Sequence, residues 1–225
     1  MEYFWYRGRK CKDCGQPMPV FALGHYLPKG GGEDEFSKKI NYFHLYGNDL
    51  GYFLGRFLEF YKNRIDGGIT FDVVCVAPSH KEGKINSHMV ELARAFADKI
   101  GAPYREVLRR NRTVKRQHEL KTDPERMENV AGSLSADGDL EGKNVLVFDN
   151  VSISGATVRE VHNILKEKKA GLCIFLCLGL GHLAKGTDFD INPNFKGKIS
   201  RIIKEWHWPK VAKEKREAYK KSAPA

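Results

Sequence analysis

From Asn144 to Lys169 the chain passes through a buried-strand pattern, a turn of small residues and an amphipathic helix. Asn144-Val-Leu-Val-Phe-Asp149 is an apolar, β-branched run that closes on two polar residues, Asp149 and Asn150. Ser154, Gly155, Ala156 and Thr157 then open a helix whose inward residues are Val158, Val161, Ile164 and Leu165. Another apolar run, Leu172 to Leu178, follows directly. Strand, loop, helix and strand in this order indicate a βαβ unit and a parallel sheet, so the fold class is α/β.

The rest of the chain is consistent with that class. Phe71-Asp-Val-Val-Cys-Val-Ala77 predicts a strand ending at Pro78, and Met89 to Ile100 a helix stopped by Gly101. Asn41 to Arg64 predicts one helix, with Leu50, Phe53, Leu54, Phe57, Leu58 and Tyr61 at helical spacing. Pro28-Lys-Gly-Gly-Gly-Glu-Asp-Glu35 is the clearest linker. It separates a Cys- and aromatic-rich piece (1–35) from an α/β domain (36–195), which is followed by a basic helix or tail (196–225). Arg109 to Asn129 is long and polar, as functional lids and disordered segments are.

Hydrophobic residues at 41% and charged residues at 29% of 225 allow a packed core and exclude wholesale disorder. The longest apolar run, Leu172 to Leu180, has about half the roughly 20 residues a membrane helix needs. MEYFWYRGRK has no apolar stretch of the kind a secretory signal carries, so the expected location is the cytoplasm. Of the formal net charge of +10, Lys196 to Ala225 carries +7, from ten Lys/Arg and three Glu. That concentration weakens a nucleic-acid reading for the body and leaves one open for the tail. Five cysteines form no disulfide framework, and Cys75, Cys173 and Cys177 fall in strand patterns as small buried hydrophobes.

The segment after the strand at 144 has a chemistry of its own. Small residues let backbone N–H groups converge on an anion, and a helix N-terminus adds partial positive charge. Ser154 and Thr157 can donate further hydrogen bonds, while Asp149 and Asn150, at the carboxyl end of a parallel strand, are placed to hold a diol. Phosphate beside a vicinal diol means a ribose phosphate. Gly-x-x-x-x-Gly-Lys-Ser/Thr is absent, and no Gly-x-Gly-x-x-Gly opens a helix after a strand.

Asp149-Asn-Val-Ser-Ile-Ser-Gly-Ala-Thr157 resembles the phosphoribosyl-pyrophosphate (PRPP) motif of type I phosphoribosyltransferases: two acidic residues, a hydrophobic, any residue, then Thr-Thr-Gly-Ala-Thr. The resemblance extends to the ComF/GntX-like, competence-associated branch. Ala77-Pro78-Ser79, Arg112-Thr113, Gln117-His-Glu-Leu120 and Arg126-Met-Glu-Asn129 occur in that branch's order. The likeness covers about residues 70–180, and the branch's zinc-binding piece corresponds to residues 1–30. It implies a central, mostly parallel sheet flanked by helices, with a small N-terminal knuckle or hood.

The resemblance implies transfer of ribose 5-phosphate from PRPP to a nitrogen acceptor, a nucleobase among the candidates, with release of pyrophosphate. PRPP would be held by Pro78, Ser79, His80, Lys81 and Arg112, and by the motif itself: Asp149, Asn150, Val151, Ser152, Ile153, Ser154, Gly155, Ala156 and Thr157. Lys84 adds a further cation to the first loop. Mg²⁺ would come with PRPP, bound largely through substrate oxygens and water. Asp149, Asn150, Lys115 and Arg116 are the implied catalytic group, with Arg109–Asn129 as a lid against water.

Two departures weigh on turnover. Asn150 replaces the second acidic residue, and Ile153 replaces a hydroxyl residue of the phosphate cradle. A non-catalytic PRPP or nucleotide sensor, and a nucleic-acid-associated accessory protein, are therefore the alternatives. Cys11-Lys-Asp-Cys14 has zinc-knuckle spacing, with His25 and then His44 as candidates to extend the ligand set, against a degenerate, metal-free knuckle. A homodimer stays open.

Overall fold

A computed structural model describes residues 4–7, 19–27, 34–65, 69–181 and 190–192. Cys11, Cys14, the glycines of the linker and the basic tail lie outside them. The described elements are β1 (Phe4–Arg7), β2 (Pro19–Ala22), β3 (His25–Tyr26), α1 (Glu35–Tyr46), α2 (Leu50–Phe60), β4 (Val73–Val76), α3 (Ser87–Ile100), β5 (Leu108–Arg110), α4 (Asp123–Val130), β6 (Leu134–Ala136), β7 (Asn144–Ser152), α5 (Ala156–Glu167), β8 (Leu172–Gly181) and β9 (Asp190–Asn192).

The central sheet has the order β4-β7-β8-β2-β1-β9, with β3 also on β8. Pairings β4/β7, β7/β8, β2/β8 and β3/β8 are parallel, while β1 pairs antiparallel with β2 and β9. The fold is α/β with a mostly parallel sheet flanked by helices. Strands β1 to β3, from the piece set apart in the sequence, are hydrogen-bonded into this sheet.

Strand periodicity divides the core in two. Val74, Val76, Leu146, Phe148, Ile174 and Leu176 face one cluster, shared with Ile40 and Phe43 of α1, Phe53 and Phe57 of α2 and Phe96 of α3. Val73, Cys75, Val145, Val147, Cys173 and Cys177 face the other, shared with Val158, Val161 and Leu165 of α5. The three cysteines are buried and unbridged, as the strand pattern predicts. On the first face Phe148 meets Phe57 and Phe96 edge-on, with centroids 5.1 Å away in each case. Such contacts add about 0.5–1.5 kcal/mol each beyond burial.

The single helix expected over Asn41–Arg64 is two helices. Gly47 ends α1 at φ 75° and Asp49 precedes α2 at φ 64°, both left-handed, so the chain turns between them. The residues whose spacing predicts the helix, Leu50 to Tyr61, all lie after the turn, so their periodicity does not report it. The polar stretch Arg109–Asn129 also carries structure. It begins in β5, paired antiparallel with β6, and ends in α4, whose start is a capping box of Thr122 and Glu125. Among the described residues no helix is long and apolar enough to cross a membrane.

Candidate functional site

Parallel neighbours end at the same edge of a sheet, and their loops meet there. Val76 pairs with Phe148, and the Ala77 N–H donates to the Phe148 carbonyl at 2.8 Å. The loop after β4 and the 149–157 segment are thus brought together from positions about 70 residues apart. Pro78 is buried at the start of that loop, Ser79 and His80 are half-buried, and Lys81 and Lys84 are exposed at its tip.

The 149–157 segment folds as strand, turn and helix. Gly155 takes φ 69° immediately before α5, a conformation that a side chain disfavours. Ser154 is 2% exposed, and its Oγ accepts from the Ala156 N–H at 3.3 Å. Ser152 is also buried, and its hydroxyl has no hydrogen-bond partner among the described residues. Ile153 fits because the facing residue is Gly181, where a Cβ would stand 2.7 Å from Ile153 Cγ1.

Asp149 and Asn150 are neighbours in the last half of β7, and their side chains go to opposite sides of the strand. Asp149 lies toward the Cys177 and Arg110 side, and its Oδ1 accepts from the Asn150 N–H at 2.8 Å. Although some of the residue's surface reaches solvent, its carboxyl is enclosed by protein. Burial pushes the carboxyl up to about 7, against the opposing pull of that N–H and the Arg110 cation. Asn150 lies toward α1, where its Nδ2 is 3.1 Å from Nδ1 of His44.

The segment expected as a lid is tied to the β4 loop along its first turn. Glu82 N–H donates to Thr113 Oγ1 at 3.1 Å, and Val114 N–H donates to the His80 carbonyl at 2.9 Å. Arg116 Nε donates to His80 Nε2 at 3.4 Å, so that nitrogen is unprotonated. Burial, Arg116 and Lys81 all push the His80 pKa down. Arg112 and Lys115, also expected at PRPP, are exposed at this rim. The Arg112 guanidinium donates to the carbonyls of Asn129 and Ala131 at the end of α4. Asn129 in turn exchanges two hydrogen bonds with the Lys115 backbone. Arg126 donates to the carbonyls of Gln117 and Leu120, closing the turn between them.

Arg110 escaped the sequence reading as a site residue because a run of basic residues gives no sign of which one is buried. Its guanidinium, 4% exposed, donates to the Ser79 carbonyl at 3.0 Å and to Ser133 Oγ. His44 and Asn86 were missed as partners of the turn, since contacts across 106 and 42 residues leave no local pattern. His25 lies on β3, half-buried; with Cys11 and Cys14 outside the described residues, the zinc expectation is not brought to a site. Among the described residues no group of three or more His, Cys, Asp or Glu is arranged for a metal ion.

No family model matches the chain. Over 99 residues it is 31% identical to amidophosphoribosyltransferase of Staphylococcus aureus strains Mu50 and N315, covering 40% of this chain and 20% of that protein. Against strain MRSA252 it is 34% identical over 79 residues, 35% of this chain and 16% of the relative. The chain therefore spans a fifth or less of the length of these curated relatives. Among solved structures it is similar to glutamine PRPP amidotransferase from B. subtilis complexed with ADP and GMP, at 23% identity and TM-score 0.39, covering 70% of this chain and 32% of that one. It is also similar to an allosteric regulatory enzyme of purine biosynthesis, at 26% identity and TM-score 0.37, covering 58% and 24%.

Proposed function

We propose that this chain belongs with the type I phosphoribosyltransferases, binds PRPP where β4 and β7 end, and transfers its ribose 5-phosphate to a nitrogen acceptor. The observation that carries the reading is the adjacency of the 77–84 loop, rich in cations, and the 149–157 turn, which opens a helix beside buried hydroxyls. Similarity to amidophosphoribosyltransferase over 99 residues supports it.

In this reading the 5-phosphate meets the N–H groups of the 153–157 turn, with the free Ser152 hydroxyl close by. Asp149 and Asn150 face the ribose hydroxyls. The pyrophosphate faces Ser79, His80 and Lys81, with Arg112, Lys115 and Arg116 at the rim. With one enclosed carboxylate and no acidic cluster among the described residues, the site suits Mg²⁺ that arrives on the substrate's oxygens and water, where it would neutralise the departing pyrophosphate. The acceptor nitrogen forms a bond to the ribosyl carbon as the carbon–oxygen bond breaks, and pyrophosphate leaves with the electron pair. Positive charge gathers at that carbon, where the Asp149 carboxylate stabilises it once ionised.

A sensor without turnover is the second reading. It is favoured by Asn150, which withholds the second negative charge. Pyrophosphate release from PRPP and Mg²⁺, screened across nucleobases and other nitrogen acceptors, separates the two. Release that depends on an acceptor supports transfer, whereas binding without release supports the sensor.

A further inference from the structure

The backbone N–H of Val151 can only donate, and it lies 2.7 Å from Oδ1 of Asn150. That contact fixes which end of the carboxamide is oxygen. The nitrogen end therefore faces Nδ1 of His44, at 3.1 Å. Asn86 reaches the same ring atom from another element. Its Oδ1 caps α3 by accepting from the Met89 N–H at 3.0 Å, so its Nδ2 must be the atom facing His44. That nitrogen stands 3.0 Å from the His44 carbonyl and 3.3 Å from Nδ1. Two amide donors, each oriented by a backbone N–H, converge on one ring nitrogen. Nδ1 is then an acceptor, and the imidazole is neutral with its proton on Nε2.

We propose that His44 is a positioning residue for the 149–157 turn: its unprotonated Nδ1 anchors the Asn150 carboxamide, and this anchor makes an amide the side chain that fits position 150. A carboxylate there would face the lone pair of a neutral ring. Protonating the ring to suit the carboxylate would turn Nδ1–H against the Asn86 amide, donor to donor. The amide is thus complementary to a histidine on α1, 106 residues away in the chain. The titratable neighbours of His44 are His88 on α3 and His80 in the β4 loop, and with burial they hold His44 below the ordinary histidine range. Neutral His44 is the form that the two amides require.

The effect on ligand binding rests on the PRPP reading; the tautomer does not. Imidazole ¹⁵N NMR of the free protein should show His44 protonated on Nε2, and Asn150→Asp should move its titration upward. An Nδ1–H tautomer, or a titration unmoved by Asn150→Asp, overturns the proposal. With PRPP and Mg²⁺ as probe, His44→Asn keeps an acceptor oxygen near the place of Nδ1 and should bind within about threefold of wild type. His44→Leu removes the acceptor and should weaken binding about tenfold. Wild-type affinity in a folded His44→Leu protein also overturns the proposal. Should wild type itself fail to bind PRPP, the functional reading falls, and the tautomer and titration alone decide the role of His44.

Discussion

Arg110 and Ser79 lie 31 residues apart, yet the Arg110 Nε donates to the Ser79 carbonyl at 3.0 Å from a nearly solvent-free position. The same guanidinium donates to Ser133 Oγ, whose hydroxyl donates in turn to the Val130 carbonyl at 2.6 Å. One cation thus fastens the loop after β4 to the β5–β6 sheet and sits in the field of Asp149.

Arg110→Met should lower stability by about 3 kcal/mol, because two buried acceptors lose their donor and Asp149 loses its cation. Arg110→Lys restores the charge but not the fork, and should recover only part of the loss. Urea unfolding of the three proteins measures the ranking. Equal midpoints for wild type and Arg110→Met would remove Arg110 from this role.

Asp149 makes stability depend on pH in a direction opposite to that of most carboxylates. Its folded pKa of about 7 lies above the unfolded value of 3.8, so the folded state holds the extra proton between them. Stability contributed by this group is full below 3.8 and declines as pH rises to about 7, where it levels off. Asp149→Asn should flatten that part of the profile. Proton uptake on folding, measured near pH 5.5 with and without the substitution, checks the sign.

Gly155 is the turn position least able to accept a side chain. At φ 69° an alanine costs on the order of 1 kcal/mol, and a β-branched residue costs more. Gly155→Val should therefore reduce both thermal stability and PRPP affinity, and Gly155→Ala should do so more mildly. A folded Gly155→Val protein with unchanged affinity would move the phosphate away from this turn.

The stretch from Lys115 to the start of α4 carries exposed Lys115, Arg116 and Lys121. Trypsin should cut there first in the free protein, and PRPP with Mg²⁺ should slow it if the segment closes over ligand. Asn129→Ala removes both hydrogen bonds to the Lys115 backbone and should speed the cut. First cleavage elsewhere in the described residues, with no protection by ligand, would count against a lid.

What could be read in advance follows the range of the interactions. The β7–turn–α5 unit is written in consecutive residues, and the unbroken apolar run Val145 to Phe148 marks a buried strand. The strand at Phe71 and the helix stopped by Gly101 are equally local. The break at Gly47 was hidden because the residues whose spacing marks the helix, Leu50 to Tyr61, all lie after it. Arg112, Arg126 and Asn129 were recognisable as a pattern, but their hydrogen bonds to the chain's own backbone depend on where α4 lies. The same holds at the turn. Asn150 was visible as an odd residue, whereas its partner His44 is 106 residues away and Arg110 differs from Arg109 only in burial.

The chemistry proposed for this protein depends on PRPP binding where β4 and β7 end. Calorimetric titration of the full chain with PRPP and Mg²⁺, alongside Gly155→Val and ribose 5-phosphate, tests it most directly. The prediction is saturable one-site binding of PRPP with Mg²⁺, weaker binding of ribose 5-phosphate, and loss of both in folded Gly155→Val. Absence of heat with wild type across the millimolar range, or binding that Gly155→Val leaves intact, would contradict it.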